Sequence, residues 1–186
     1  PTFSKKQFIS IGRFVEKKAP NLLILAFSKV VAKYPNYVLK MAGDGVLLND
    51  CKNLVTQLGI KNNIQFLGVV SPEDYRSELQ NSLAFVQHSI TADNGDMEGT
   101  PLAVLEASAA GVPVISTYHA GIPDVIIHEQ TGLLCEEKDV QKMAKNLISL
   151  IENKELAKRL GKNGKARIKN EFNMNLHISK IQKALN

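Results

Sequence analysis

Two glutamates, Glu98 and Glu106, lie eight positions apart in the segment EGTPLAVLE, where a loop is predicted to run into a helix. Gly99 and Thr100 precede the predicted helix, and free main-chain N–H groups there can bind a phosphate or a sugar hydroxyl. Pro101 suits the first helical turn, which needs no N–H at that position. Glu106 falls inside an otherwise apolar helical stretch, so its carboxylate needs partners: a ligand, the backbone or a neighbouring helix.

Two cations follow the first predicted strand. Arg13 and Lys18 lie in the segment GRFVEKKAP, which begins at Gly12. An Arg fork and a Lys ammonium can hold a diphosphate directly, although two solvated loop cations would show the same spacing. The segment lacks both the glycines of a dinucleotide-binding turn and the GK[ST] end of a phosphate loop, which disfavours NAD-dependent dehydrogenases and P-loop NTPases. Gly43 begins a GDG turn after the second strand, which is either an ordinary turn or a close approach of backbone to a ligand.

Other polar residues define weaker candidate sites. Asp93, Asp96 and Glu98 could suggest a metal, but their spacing is not that of a calcium loop, so no metal is expected. His88 and His119 lack the serine or cysteine and carboxylate of a catalytic triad. His119 follows the fifth predicted strand and is a candidate ligand contact, whereas His88 is expected to support its loop.

Short β-rich runs alternate with helical stretches, which predicts a parallel sheet with helical crossovers. The predicted strands are 8–11, 37–42, 63–69, 83–87, 112–117 and 133–134. The predicted helices are 22–34, 48–58, 72–81, 101–110, 138–151 and 154–170, with a last helical segment toward Leu185. We therefore expect an α/β fold, a Rossmann-like doubly wound parallel sheet of about six strands, in one domain spanning residues 1–186. In such a fold, ligands bind at the carboxyl ends of the strands.

Composition supports an ordinary globular domain. Of 186 residues, 44% are hydrophobic and 22% are charged, which excludes a disordered chain. No membrane-spanning run and no export signal are visible, so a cytoplasmic location is expected. The net charge is +5, and residues 154–169 hold seven basic residues against one acidic residue. A solvated helix face explains this cluster most simply, contact with an anionic membrane surface is the alternative, and nucleic acid is not expected.

Beyond these patterns, the sequence resembles the retaining glycosyltransferases of family 4, also called glycosyl transferases group 1, which have the GT-B fold. The resemblance covers essentially the whole chain, as the carboxyl-terminal, nucleotide-sugar-binding half. It rests on the segments ISIGRFVEKKAPNLLILAF, MAGDG, IQFLGVVSPED and, above all, HSITADNGDMEGTPLAVLEASAAGVPVISTYHAGIPDVIIHEQTGLL. The sequence is most similar to the branch that acts in bacterial exopolysaccharide, capsule and lipopolysaccharide assembly.

The resemblance implies roles for the candidate residues. Glu98 faces the donor sugar, and Arg13 and Lys18 hold the diphosphate, which makes these three the expected catalytic residues. Glu106 bonds the ribose hydroxyls. The remaining residues expected to contact the donor are Gly12, Gly43, Val69, Val70, Gly99, Thr100, Pro101 and His119, with the nucleotide base packing at Val69 and Val70.

The resemblance also implies a reaction: a sugar moves from a nucleoside diphosphate to a hydroxyl of a glycan or lipid-linked acceptor, with retention and without a metal or other cofactor. Cationic groups would stabilise the charge that grows on the diphosphate.

Three features depart from the family. Ala19 replaces a usual glycine, Thr100 and Pro101 replace a frequent Phe-Gly, and the amino-terminal lobe that carries the acceptor site is missing. A nucleotide-sugar-binding module without turnover, or another GT-B-like enzyme such as a phosphorylase or epimerase, remains the alternative.

Overall fold

The computed structural model describes residues 1, 3 and 5–172 of the chain. Within these residues, six strands form one sheet: β1 (Gln7–Ile11), β2 (Val38–Ala42), β3 (Ile64–Gly68), β4 (Ala84–Val86), β5 (Val114–Thr117) and β6 (Gly132–Cys135). The α-helices of the same residues are α1 (Pro20–Lys33), α2 (Leu48–Gln57), α3 (Pro72–Gln80), α4 (Leu102–Ala109), α5 (Ile122–Val125), α6 (Val140–Glu152) and α7 (Lys154–Glu171). The strand order is β3-β2-β1-β4-β5-β6, and every neighbouring pair is parallel. The predicted doubly wound α/β sheet is confirmed.

The bounds of the predicted elements agree with the structure to within two residues wherever the structure describes them. Helix α3 begins as its sequence indicates, because the Ser71 hydroxyl accepts a hydrogen bond from a first-turn amide at 3.1 Å and Pro72 takes the first helical position. Pro101 is a correction: it is the N-cap of α4, and Leu102 is the first helical residue. Helix α5 is not predicted, because four residues show too little periodicity. The predicted segment toward Leu185 lies outside the described residues.

The sheet is buried on both faces, and successive residues of β1 serve opposite faces. Phe8 packs in the apolar cluster beneath α1, α2 and α6, whereas Ile9 packs in the cluster beneath α3, α4 and α5. Both side chains are fully buried, and burying a side chain of this size contributes about 1.5 to 3 kcal/mol. This two-sided burial explains why β4, β5 and β6, which are buried at every residue, show no alternation of apolar and polar side chains, whereas β2 and β3 carry the more accessible Lys40 and Gln65.

The last described helix, α7, contacts β6 and reaches both faces of the sheet. Ala157 and Leu160 belong to the cluster beneath α1, whereas Ile168 packs against the cluster beneath α4. The helix passes close to the turn that follows α4: a Cβ added to Gly161 would lie 2.2 Å from the Gly111 carbonyl oxygen. Helix α7 therefore joins the two helical layers next to β6.

The order of the strands reverses between β1 and β4, which are neighbours in the sheet. The chain leaves β1 toward α1 on one face and leaves β4 toward α4 on the other. The two connecting loops, residues 12–19 and 87–101, therefore separate at the carboxyl ends of the strands and leave a crevice where ligands bind in folds of this kind. Most of the predicted site residues fall on these two loops.

Two glycines bring the loops after β1 and β2 into main-chain contact. The Gly12 amide donates to the Ala42 carbonyl oxygen at 3.0 Å, and the Gly43 amide donates to the Gly68 carbonyl oxygen at 2.7 Å. A Cβ added to Gly43 would lie 2.0 Å from the Gly12 carbonyl oxygen, and the φ of Gly43, 128°, is one that residues with a Cβ rarely adopt. Main-chain atoms therefore form the base of the crevice at this point.

We expect Gly43→Ala to lower the free energy of unfolding by about 1 to 3 kcal/mol, because the added methyl group overlaps the Gly12 carbonyl. Urea denaturation of the parent chain and the variant measures the difference. Gly99→Ala is the matched control, since a Cβ at Gly99 meets no atom within 4 Å, and it should change the free energy by less than about 0.5 kcal/mol. Equal stability of the two variants would show that the loops after β1 and β2 do not touch.

Candidate functional site

An open cavity of about 550 Å³ lies at the carboxyl ends of β1, β2 and β3. Its lining comprises Ile11, Gly12, Arg13, Gly43, Asp44, Gly45, Val69 and Val70. The structure thus brings together five of the predicted site residues, Gly12, Arg13, Gly43, Val69 and Val70. Val69 is 83% exposed, so one wall of the cavity is apolar and open to solvent. Such a wall suits the face of a flat ring.

Arg13 supplies an exposed positive charge to this cavity. Within the part of the chain that the structure describes, its guanidinium has no hydrogen-bond or ion-pair partner. Arg13 also lines a smaller cavity of about 20 Å³ together with Lys18 and Gln87. A guanidinium in this position can bind an anion such as phosphate through two parallel hydrogen bonds.

Lys18 ends the 3-10 turn Glu16–Lys18 and points toward the β4 loop. Its ammonium group lies 2.9 Å from Glu98 Oε2 and 3.3 Å from Gln87 Oε1. The next residue, Ala19, is buried in the left-handed conformation, with φ 36° and ψ 52°. Glycine adopts this conformation without a steric penalty, which accounts for the glycine that the resembled family has here. Ala19 keeps the turn, and so keeps Lys18 in place.

Glu98 is a buried carboxylate at the crevice, and its side chain is 7% exposed. Oε2 accepts the Lys18 hydrogen bond, while Oε1 is buried and has no partner among the described residues. A buried acceptor left unpaired is unfavourable by about 1 to 3 kcal/mol. Oε1 is therefore a ready acceptor for a ligand hydroxyl, beside a cation that can bind phosphate.

Gly99 and Thr100 lie before α4 rather than in its first turn. The Leu102 amide donates to the Thr100 carbonyl oxygen at 2.9 Å, whereas the amides of Gly99 and Thr100 have no hydrogen-bond partner among the described residues. Both residues are exposed. Their amides are therefore available to an anion from the loop and not from the first turn of the helix, and Pro101 caps the helix behind them.

The long polar loop after β4 is tied to the 3-10 turn that carries Lys18. The Lys17 ammonium donates to Asp96 Oδ1 at 2.9 Å and to the Met97 carbonyl oxygen at 3.0 Å, and Glu16 Oε1 accepts from the Asp93 amide at 2.8 Å. The Lys17 hydrogen bond holds the pKa of Asp96 below its ordinary value. Among the residues that the structure describes, no group of three or more His, Cys, Asp or Glu side chains could hold a metal ion. Lys17 is not predicted from the sequence, because the resemblance assigns the diphosphate-binding lysine to its neighbour, Lys18.

His119 lies behind Glu98 and not on the crevice surface, which corrects the prediction of a direct ligand contact. Its side chain is fully buried, Nε2 accepts from the Glu98 amide at 3.0 Å, and Nδ1 lies 2.6 Å from Glu137 Oε1. Both ring nitrogens are therefore engaged by the protein. Burial raises the pKa of Glu137, but hydrogen bonds from His119 and from Thr91 together bring it below its ordinary value. The sequence offers no motif that would single out Glu137.

His88 supports a loop, as predicted. It is fully buried, and Nε2 accepts from the Lys138 amide at 3.0 Å. Burial lowers the pKa of His88 to about 4, although Asp139 and Glu137 oppose the shift. The ring is therefore neutral at physiological pH, and it fixes the chain just after β6.

Glu106 is exposed on α4, so the burial penalty expected from its apolar neighbours does not arise. It lines a groove of about 340 Å³ between α3 and α4 with Tyr75, and Pro72 stands at the same groove. Within the described residues its carboxylate has no hydrogen-bond partner, so the alternative of a bond to backbone or to another helix is not observed. The structure does not place Glu106 in the cavity with Arg13. The two openings are neighbours, however, because Val70 of the cavity and Pro72 of the groove are two residues apart.

Comparison with known proteins places the chain among glycosyltransferases. Residues 3–167 match the family model of the glycosyl transferases group 1. The putative colanic acid biosynthesis glycosyltransferase WcaL of Escherichia coli (strain K12) is 28% identical over 184 residues, which cover 96% of this chain and 45% of WcaL. The chain spans about half the length of the curated relatives it matches.

Solved structures agree with this assignment. The carboxyl-terminal domain of the glycosyl transferase group 1 family protein LpcC from Francisella tularensis has a TM-score of 0.80 and 26% identity, and the match covers 91% of this chain and 88% of that one. HepE of Anabaena, solved with UDP and glucose, has a TM-score of 0.83 and 20% identity, with coverage of 97% and 48%. The chain belongs to the glycosyl transferases group 1 family, and its fold is that of the carboxyl-terminal domain of GT-B glycosyltransferases.

Proposed function

We propose that this chain is the donor-binding half of a retaining glycosyltransferase of family 4 that transfers a sugar from a nucleoside diphosphate to an acceptor hydroxyl. The observation that carries the proposal is the pairing of Lys18 with the buried Glu98 at the crevice, which sets a cation for phosphate 2.9 Å from a carboxylate for sugar hydroxyls. The WcaL relative, named for colanic acid biosynthesis, supports a role in bacterial surface polysaccharide or lipopolysaccharide synthesis.

In this proposal the three parts of the donor take three parts of the site. The base packs in the 550 Å³ cavity against Val69 and Val70, and the diphosphate lies at Arg13 and Lys18. The sugar faces Glu98. The diphosphate takes over the hydrogen bonds of Lys18, which releases the second oxygen of the Glu98 carboxylate for the sugar. The HepE structure with UDP and glucose supports a nucleoside diphosphate sugar as the substrate class.

The reaction breaks the bond between the anomeric carbon and the distal phosphate oxygen, and the electron pair stays on that oxygen. The acceptor hydroxyl oxygen forms the new bond to the anomeric carbon and passes its proton to the departing phosphate oxygen, which carries the released electron pair. Arg13, Lys18 and the amides of Gly99 and Thr100 stabilise the charge that grows on the departing diphosphate. Glu98 orients the sugar and does not attack it, and retention follows from attack on the same face from which the diphosphate leaves.

The acceptor site belongs, in this proposal, to an amino-terminal lobe outside the present sequence. The chain covers 88% of the separately solved LpcC carboxyl-terminal domain but only 48% of HepE, which supports this division. Transfer then takes place between the lobes, in the cytoplasm, on a glycan or lipid-linked acceptor. Nucleic acid is not part of the proposal.

The diphosphate assignment predicts a selective loss of affinity. Arg13→Ala and Lys18→Ala should each weaken binding of UDP, GDP or ADP, whichever the chain prefers, by about 10- to 150-fold, the value of a charged hydrogen bond. Binding of the matching monophosphate should fall much less, because the cations contact the distal phosphate. Calorimetry measures all of these affinities.

Lys145→Ala is the control for these variants, since it removes the same charge from an exposed position on α6. It should leave both affinities unchanged. No binding of any nucleoside diphosphate at millimolar concentration would refute the proposed function. Equal losses for monophosphate and diphosphate would show that the two cations act only through their general field.

Glu106 is proposed to bond the ribose hydroxyls. Glu106→Gln should weaken nucleotide binding about 10-fold or more and should abolish the preference for UDP over 2′-deoxy-UDP, or for the corresponding guanine or adenine pair. Its exposed position predicts a change in stability of less than about 0.5 kcal/mol. Glu155→Gln, on the exposed face of α7, is the control. A variant that keeps the preference for the ribonucleotide would remove Glu106 from the ribose site.

A second part of the proposal concerns the membrane. None of the described helices is both long and apolar enough to cross a bilayer. Lys158, Lys162 and Lys165 are exposed at helical spacing on one side of α7, although Lys158 also pairs with Glu155 at 2.7 Å. We propose that this face meets the anionic inner surface of the membrane peripherally, where lipid-linked acceptors are held.

The membrane proposal predicts charge-dependent sedimentation with vesicles. Replacing Lys158, Lys162 and Lys165 together by Gln should reduce binding to vesicles with 30 to 50% phosphatidylglycerol. The expected loss of binding free energy is about 1 kcal/mol per lysine. Binding to pure phosphatidylcholine should be weak for every variant. The matched control replaces three exposed lysines of α1 and α6, Lys29, Lys142 and Lys145. Equal binding by both triple variants would show that the lysines of α7 form a solvated surface and not a membrane contact.

A further inference from the structure

The main chain of Glu98 is held by a buried histidine. The Glu98 amide donates to His119 Nε2 at 3.0 Å, and the His119 side chain has no exposed surface. A backbone amide can only donate, so Nε2 must be the unprotonated nitrogen and the ring proton lies on Nδ1. Nδ1–H then donates to Glu137 Oε1, 2.6 Å away. The direction of each hydrogen bond is therefore determined by the Glu98 amide.

Glu137 connects this histidine to the other end of the same loop. Its Oε2 accepts from the Thr91 amide at 2.9 Å, while its Oε1 accepts from His119. One carboxylate thus holds the chain at Thr91 directly and at Glu98 through the imidazole ring. His119 follows β5 and Glu137 follows β6, and these adjacent strands are joined up to the Tyr118 amide, which donates to the Cys135 carbonyl oxygen at 2.8 Å. The anchor therefore rests on paired strands and not on another loop.

Glu98 has two anchors within the described residues, and a bound donor would compete for one of them. The Lys18 ammonium holds the Glu98 carboxylate, but a bound diphosphate accepts hydrogen bonds from the same ammonium. The bond from the Glu98 amide to His119 lies behind the crevice and is not exposed to the ligand. It is the interaction that can keep Glu98 in place after Lys18 has turned to phosphate.

Resting on the proposed function, we propose that His119 and Glu137 are positioning residues, which hold Glu98 against the donor sugar while Lys18 binds the diphosphate. His119 itself does not touch the donor. Loss of this anchor should therefore weaken recognition of the sugar and leave recognition of the nucleoside diphosphate intact. A loss of general stability would weaken both together.

The test compares affinities for a nucleoside diphosphate and for its sugar, with UDP and UDP-glucose, and with GDP and GDP-mannose, as the probes. His119→Asn keeps a donor for Glu137 but is too short to accept from the Glu98 amide, whereas the His119→Gln side chain is long enough to place an amide oxygen there. We expect His119→Asn to weaken binding of the sugar nucleotide about 3- to 10-fold and of the diphosphate less than about 2-fold. His119→Gln should restore most of the loss. Glu98→Gln serves as the reference for the size of the sugar effect.

His88→Asn is the matched control. His88 is equally buried, its Nε2 also accepts a backbone amide, and that amide belongs to Lys138 and not to Glu98. This variant should lower the melting temperature about as much as His119→Asn while leaving the ratio of the two affinities unchanged. If His119→Asn does not fold, Glu137→Gln provides the second variant, with an expected loss for the sugar nucleotide of about 2- to 3-fold.

The outcomes separate the inference from the proposed function. Failure of the parent chain to bind any of the four nucleotides refutes the proposed function and the inference with it. A parent chain that binds, with Glu98→Gln changing the affinity ratio but His119→Asn leaving it unchanged, overturns the inference alone. Parallel loss of both ligands in His119→Asn, or failure of His119→Gln to recover sugar binding, would also overturn it, because His119 would then be a structural residue.

Discussion

The reversal of strand order between β1 and β4 is the constraint on which the site depends. Because β1 pairs with β2 on one side and with β4 on the other, the chain must lead away from these two strands on opposite faces of the sheet. Within the described residues, no strand or α-helix then fills the space beyond their carboxyl ends, and two loops border it. Lys18 and Glu98, 80 residues apart in sequence, meet across this space. The polar loop after β4, and the residues that hold it, therefore line an opening that the strand order already requires.

In the proposed binding mode, the charges of the site are balanced both in the empty crevice and in the occupied one. A buried carboxylate is expensive without a partner, and Lys18 supplies that partner to Glu98 when no ligand is bound. Arg13 remains exposed and solvated. An anion that binds between the two cations therefore exchanges one partner of Lys18 for another, and Arg13 gains a partner without breaking an ion pair. The protein supplies its attractive charge with little internal rearrangement.

Sequence patterns are sufficient for the architecture and for placing Arg13 and Glu98 at the same crevice, because both depend on local signals. Apolar periodicity, Pro72 after a capping Ser71 and the strand-to-loop positions of Arg13 and Glu98 all follow from short segments. The surroundings of individual side chains do not follow from short segments. Glu106 is exposed because α4 buries only Val104, Ala107 and Ser108, and composition alone does not reveal which side of a uniformly apolar helix faces out. The contact of His119 with Glu137 joins the ends of two strands, and no spacing rule encodes it.

Gly43 and Val69 line the same cavity, yet they differ sharply in the freedom they leave to mutation. Gly43 touches the opposing main chain, so the cavity is closed to variation in side-chain size at this position. Val69, with 83% of its surface exposed, can change in size or polarity without disturbing the core. A mutagenesis library aimed at the base specificity of the proposed donor site therefore belongs at Val69, where diversity is compatible with folding, and not at Val70, which packs against the core. The fold thereby keeps apart the part of the pocket that can evolve and the part that cannot.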